Sequence, residues 1–102
     1  MTLRVVDTAN LTTFSSEEVL SSPLLDTGKV RVLLVNLEAG QTISPCQMSA
    51  TVVYFVIEGR GALRMMDEQV RLQTGSLAVV PPGTIRSISS DNRMRVLAMQ
   101  VP

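Results

Sequence analysis

The chain has 102 residues, of which 45% are hydrophobic and 18% are charged, a composition typical of one small globular domain spanning residues 1–102. Nine basic residues balance nine acidic residues, so the positive field that favours nucleic-acid or anionic-lipid binding is missing, and we expect neither partner. The absence of histidine removes the side chain used most often for acid–base catalysis and transition-metal binding, which excludes many enzyme mechanisms.

The number of cysteines and the lengths of the apolar runs indicate the cellular compartment of the protein. A single cysteine cannot form an intramolecular disulfide, and the N-terminal residues lack the pattern of a secretory signal. The longest apolar runs are far shorter than the ~20 residues that a membrane helix needs. The sequence therefore predicts a cytoplasmic protein with no membrane span.

The first 28 residues are the least regular part and are predicted to form an N-terminal arm. Serines suited to an N-cap, followed by two glutamates, favour a short helix over residues 12–20, and Pro23 marks its end. Residues 21–28 are then expected to form a loop.

From Lys29 onward, short runs of Val, Ile, Leu and Met alternate with turn residues, which is the pattern of strands. We expect strands at 29–37, 51–57, 62–66, 70–73, 76–80, 85–88 and 94–101, with a polar segment at 41–48. No helical period interrupts them, so the predicted class is all-β, a sandwich or a barrel. The unbroken apolar run 52–57 indicates a strand covered on both faces. A partner subunit could cover the second face.

Two segments, 40–59 and 75–90, resemble the two sequence motifs of the cupin family, whose members are small RmlC-like barrels. The matching residues are glycines and a turn: Gly40, Gly59, Gly75 and Pro81-Pro82-Gly83. The resemblance implies a double-stranded β-helix, or jelly-roll, over about residues 29–101. It also implies pairing of two copies, since related cupins commonly pair through their N-terminal segments, and we expect a homodimer.

The same motifs imply where a metal would sit. Cupins usually hold a divalent metal at the barrel mouth with three histidines and a glutamate, and those positions here are Cys46, Met48, Val52 and Arg86. Mn, Fe, Ni and Zn would lack their usual nitrogen and oxygen donors. The sequence therefore predicts a metal-free barrel with no cofactor. A soft Cu(I) site at Cys46 and Met48 stays an alternative, although the arginine would repel a cation.

Arg86 is the most informative substitution, because a guanidinium inside a barrel needs a counter-ion, hydrogen bonds or water. Glu58, Tyr54, an anionic ligand or solvent could pair with or solvate its charge. The positive charge would also favour the thiolate form of a nearby Cys46 side chain. The candidate ligand-binding residues are accordingly Cys46, Met48, Tyr54 and Arg86.

Three functions fit these observations. The first is a metal-free barrel that binds a small molecule, such as a carboxylate or phosphate, or serves as a non-catalytic scaffold. The second is a metal-independent enzyme that uses Cys46, Tyr54 and Arg86 on an anionic substrate, with a polar, water-filled cavity as its distinguishing mark. The third is a dimeric interaction module. The absence of a histidine base favours a role without catalysis.

Overall fold

Two antiparallel sheets contain almost all of the regular secondary structure in a computed structural model that describes residues 3–102. Within these residues there is one short 3-10 helix, Thr8–Asn10, and nine strands. The strands are β1 Leu20–Asp26, β2 Arg31–Leu37, β3 Thr42–Cys46, β4 Thr51–Glu58, β5 Arg60–Arg64, β6 Gln69–Gln73, β7 Leu77–Val80, β8 Arg86–Ser90 and β9 Met94–Val101. The all-β prediction is confirmed. No helix among the described residues is long and apolar enough to cross a membrane.

The order of the strands produces the jelly-roll. One sheet has the order β1-β2-β9-β4-β7 and the other β3-β8-β5-β6, so neighbours in each sheet are mostly distant in sequence. Alternate side chains of each strand point between the sheets. The core they form contains Leu37, Val52, Val56, Leu63, Leu72, Val80, Ile88, Met94 and Val96.

The predicted helix over residues 12–20 is wrong. This part of the arm is irregular, and its carbonyl groups are used by the barrel: Asn36 Nδ2 donates to the oxygens of Leu11 and Thr13, each at 3.0 Å, and Gln41 Nε2 donates to Ser15 O at 2.7 Å. These tertiary hydrogen bonds replace the local ones that a helix would make. Met1 and Thr2, which begin the predicted arm, lie outside the described residues.

The predicted loop over residues 21–28 is also wrong, because most of it belongs to β1. Pro23 lies within this strand and not after a helix. Its missing N–H is tolerated because β1 is an edge strand, and the pairing with β2 shifts between Pro23 and Leu25. The polar segment 41–48 likewise contains a strand, β3, which the sequence pattern did not show.

Within the described residues of the single chain, strand β4 is covered on one face, so the second cover that the sequence predicts would have to come from a partner subunit. Val52, Tyr54 and Val56 are buried, while Val53 and Phe55 between them are half-exposed. The outward face continues across β7, β4 and β9 as two aligned rows. We call it the outer patch, and its members are Val53, Phe55, Leu77, Val79, Leu97 and Met99.

The turn residues of the two motifs act as the sequence predicts. Gly59 has a φ of +98°, and a Cβ there would collide with the Arg93 carbonyl. Gly83 has a φ of +81°, and its N–H donates to Met48 O at 2.9 Å. The Pro-Pro-Gly turn thereby joins β7 to β8 and brings Arg86 to its position at the start of β8.

Candidate functional site

An open cavity of about 490 Å³ lies between the sheets. Its wall is mainly apolar, and residues from β1, β2, β3, β4 and β9 contribute to it. The apolar members are Val19, Leu33, Val35, Ile43, Val52 and Ala98. A volume of this size lies in the range of small-molecule sites.

Arg86, which has 4% of its surface exposed, does not itself line this cavity but contacts Tyr54 and Cys46, which do. Arg86 lines a separate, smaller pocket of about 180 Å³ together with Arg64. Its Nε donates to Tyr54 Oη at 3.1 Å, and its Nη1 donates to the Cys46 carbonyl oxygen at 3.4 Å. Both acceptors are neutral, and no carboxylate forms an ion pair with Arg86 within residues 3–102. Two of the five guanidinium N–H groups are therefore used by the described protein atoms, and the positive charge has no anionic partner there.

Tyr54 connects Arg86 to the cavity. Its side chain lines the cavity wall, is 6% exposed, and has the Arg86 Cζ 5.8 Å from its ring centroid. Since Tyr54 Oη accepts the Arg86 Nε–H, its own hydrogen is free to donate, and no acceptor for it lies in the described part of the chain. The pair thus offers a hydroxyl donor and guanidinium donors side by side.

Cys46 and Met48, the other two predicted residues, have different surroundings. Cys46 lies directly opposite Arg86 in the pairing of β3 with β8, lines the cavity and is exposed. Its hydrogen bond with Arg86 goes through the carbonyl oxygen and not through the thiol. Met48 packs against the hydrophobic core and does not line the cavity. The structure therefore groups Cys46, Tyr54 and Arg86, and leaves Met48 as packing.

Glu58 does not form an ion pair with Arg86, although strand alternation would place Glu58 on the same face of β4 as Tyr54. The register of β4 shifts between Val56 and Glu58, and this irregularity brings Glu58 opposite Arg95. Glu58 Oε1 accepts from Arg95 Nε at 3.1 Å, and Arg95 Nη1 donates to Thr8 O at 2.6 Å. Arg95 is also buried, so among residues 3–102 one buried arginine has a carboxylate partner and the other, Arg86, has none.

The polar part of the cavity wall was missed by the sequence analysis. It consists of Glu18, Ser21, Thr42, Ser44 and Gln100. Glu18 and Ser21 fall in the region assigned to a helix and a loop, so no strand pattern suggested them. The alternation Thr42-Ile43-Ser44 is the one local signal that could have indicated this wall.

Comparison with solved structures identifies the fold. A cupin superfamily protein from Desulfitobacterium hafniense matches with a TM-score of 0.88 and 21% identity, covering 99% of this chain and 93% of that one. An RmlC-like cupin from Desulfovibrio desulfuricans matches with a TM-score of 0.92 and 16% identity, covering 99% and 98%. The chain has the cupin fold. Salicylate 1,2-dioxygenase from Pseudoaminobacter salicylatoxidans shares it more distantly, with a TM-score of 0.76, 22% identity and coverage of 83% of this chain and 27% of that one.

These likenesses concern the fold of the cupin barrel. No protein-family model matches the sequence, and a search of curated proteins finds no significant match. Likeness of fold alone does not assign a function to this barrel.

The residues at the cupin metal positions do not fit a divalent metal. Val52 offers no donor atom, the partly buried Met48 packs against the core, and Arg86 brings a positive charge next to Cys46. Within residues 3–102, no group of three or more Cys, Asp or Glu side chains could hold a metal ion. The donor chemistry of these side chains matches an anion better than a cation.

Proposed function

We propose that this cupin barrel binds a small anionic molecule, with the anionic group held at Arg86 and Tyr54 and the rest of the molecule in the apolar cavity. The observation that carries the proposal is the burial of Arg86 with no carboxylate partner among the described residues. An uncompensated buried charge costs several kcal/mol, and a bound anion would remove that cost. Arginine donors are well shaped for carboxylate or phosphate oxygens.

The character of the cavity supports binding without turnover. An enzyme that used Cys46, Tyr54 and Arg86 would be expected to hold them in a polar, solvated cavity, whereas this wall is mainly apolar. The Cys46 thiol has neither a histidine base nor a second cysteine in the sequence. The single cysteine also supports a cytoplasmic, reducing location in this proposal.

Thermal unfolding with added anions tests the proposal. Salicylate is the first probe, because one structural neighbour is named for acting on it, and inorganic phosphate is the second. A ligand at 100 times its dissociation constant stabilises by about 2.7 kcal/mol, which corresponds to a rise in Tm of roughly 10–20 °C in a domain of this size.

Two arginine variants make the thermal test specific for the buried site. Arg86→Met should show no rise relative to its own anion-free Tm. Arg60→Met removes an exposed arginine of β5 that does not line the pocket containing Arg86, and it should respond like the unmodified protein. No rise with any anion, or equal rises in the two variants, would overturn the proposal.

The outer patch supports a second function, the formation of a homodimer. Leu77 and Val79 on the edge strand β7 are 62% and 60% exposed, and they continue the apolar rows of β4 and β9. A second copy of the chain is the proposed occupant, because a net charge of zero gives two copies no overall repulsion and β7 has an unpaired edge.

A further inference from the structure

The charges around the cavity restrict which anion it can take. Among the described residues, Arg86 is the one whose cationic side chain hydrogen-bonds to cavity-lining residues, and the wall itself contains no lysine or arginine. It does contain a carboxylate, Glu18, on the segment before β1. One positive charge can neutralise a monoanion, whereas a dianion would leave a second charge facing an apolar wall.

The donors favour a planar group with two oxygens. The Tyr54 hydroxyl and the Arg86 guanidinium are adjacent, with 3.1 Å between Oη and Nε, and each has hydrogen to donate. A carboxylate can accept from both through its two oxygens. A phosphate monoester carries about −1.5 to −2 charge near neutral pH and presents three oxygens, more than these donors and one positive charge can satisfy.

The apolar wall determines the size and polarity of the part of the ligand that lies in the cavity. A space of about 490 Å³ equals the volume of roughly sixteen water molecules, so it accommodates an acyl or aryl body of about ten non-hydrogen atoms. Glu18, which lines the same cavity, then disfavours a second carboxylate on such a body. Building on the proposed function, we infer that the ligand class is a monocarboxylic acid with an apolar body, selected against phosphate esters and dicarboxylates.

Titration calorimetry with ligands of matched length tests this inference on the full chain. Octanoate should bind at least about tenfold more tightly than octyl phosphate and suberate, which keep the chain length but add charge. Glu18→Gln should improve suberate binding several-fold relative to octanoate binding, because suberate brings a second carboxylate into a cavity that Glu18 lines. Gln100→Glu, which adds a carboxylate elsewhere on the same wall, should weaken suberate further.

The outcomes separate the two proposals. If octanoate, salicylate and phosphate all fail to bind, the proposed function itself is wrong. If octanoate binds and octyl phosphate or suberate binds within about threefold of it, the anion site stands and the inferred ligand class is overturned. An unchanged suberate affinity in Glu18→Gln would contradict the assigned role of Glu18.

Discussion

Replacing Arg86 by methionine should stabilise the ligand-free protein, although it removes a buried side chain with two hydrogen bonds. Hydrogen bonds from a charged donor contribute about 1.5–3 kcal/mol each, and the 3.4 Å bond to Cys46 O lies at the weak end of that range. Burying the unpaired charge costs several kcal/mol. Methionine has a similar length and fills the space with apolar contacts, so we expect a net gain of about 1 kcal/mol and a Tm about 4–8 °C higher.

Arg95→Met is the matched control, because Arg95 is equally buried but has a carboxylate. It loses the Glu58 pair and the bond to Thr8 O, which should cost at least about 3 kcal/mol and lower the Tm by about 12–24 °C. Differential scanning calorimetry of dialysed protein measures both variants. A fall in Tm for Arg86→Met comparable to that for Arg95→Met would show that Arg86 is satisfied within the protein, and the reasoning that assigns it to a ligand would fail.

Three further predictions concern the metal content, the assembly and the acid dependence. Elemental analysis should find no stoichiometric Mn, Fe, Ni, Zn or Cu, and about one such ion per chain would contradict the metal-free barrel. Light scattering at tens of micromolar should give a dimer that Leu77→Glu dissociates and Val70→Glu, a change on the other sheet, does not; a monomer for the unmodified chain would refute the dimer. The hydrogen bond from Arg93 lowers the pKa of Glu38 from its ordinary 4.5, so this group stabilises the fold above pH 4.5 and the stabilisation is lost as the pH falls through the lower folded value. Urea unfolding from about pH 3 to 6 should show that Glu38→Gln removes this part of the acid dependence, and an unchanged pH profile would contradict it.

The barrel was largely predictable because its signals are local. Gly59 and Pro81-Pro82-Gly83 require particular backbone conformations, and the strands between them carry apolar residues in short runs. The structure of the arm was not predictable, because it depends on contacts with distant residues and not on local signals. Its serines and glutamates favour a helix locally, but Asn36 on β2 and Gln41 just before β3, both more than 20 residues away, donate hydrogen bonds to its carbonyl groups.

The sequence predicted which residues of the candidate site lie together, but not the hydrogen bonds between them. The cupin resemblance brought Cys46 and Arg86 together, and the structure places them opposite each other in adjacent strands. The choice between Glu58 and Tyr54 as the partner of Arg86 depends on a register shift in β4, which no residue type in that strand announces. Met48 was included because of its motif position, and its packing in the core depends on the path of the turn at Gly83.

A crystal structure with an apolar monocarboxylate such as octanoate tests the central claim most directly. The account predicts the ligand body in the cavity between the sheets, with its carboxylate oxygens within hydrogen-bond distance of Tyr54 Oη and the Arg86 guanidinium. An occupied cavity in which the carboxylate points away from these two groups would contradict it. So would a carboxylate bound at exposed arginines while Arg86 keeps only its contacts with Tyr54 and Cys46 O.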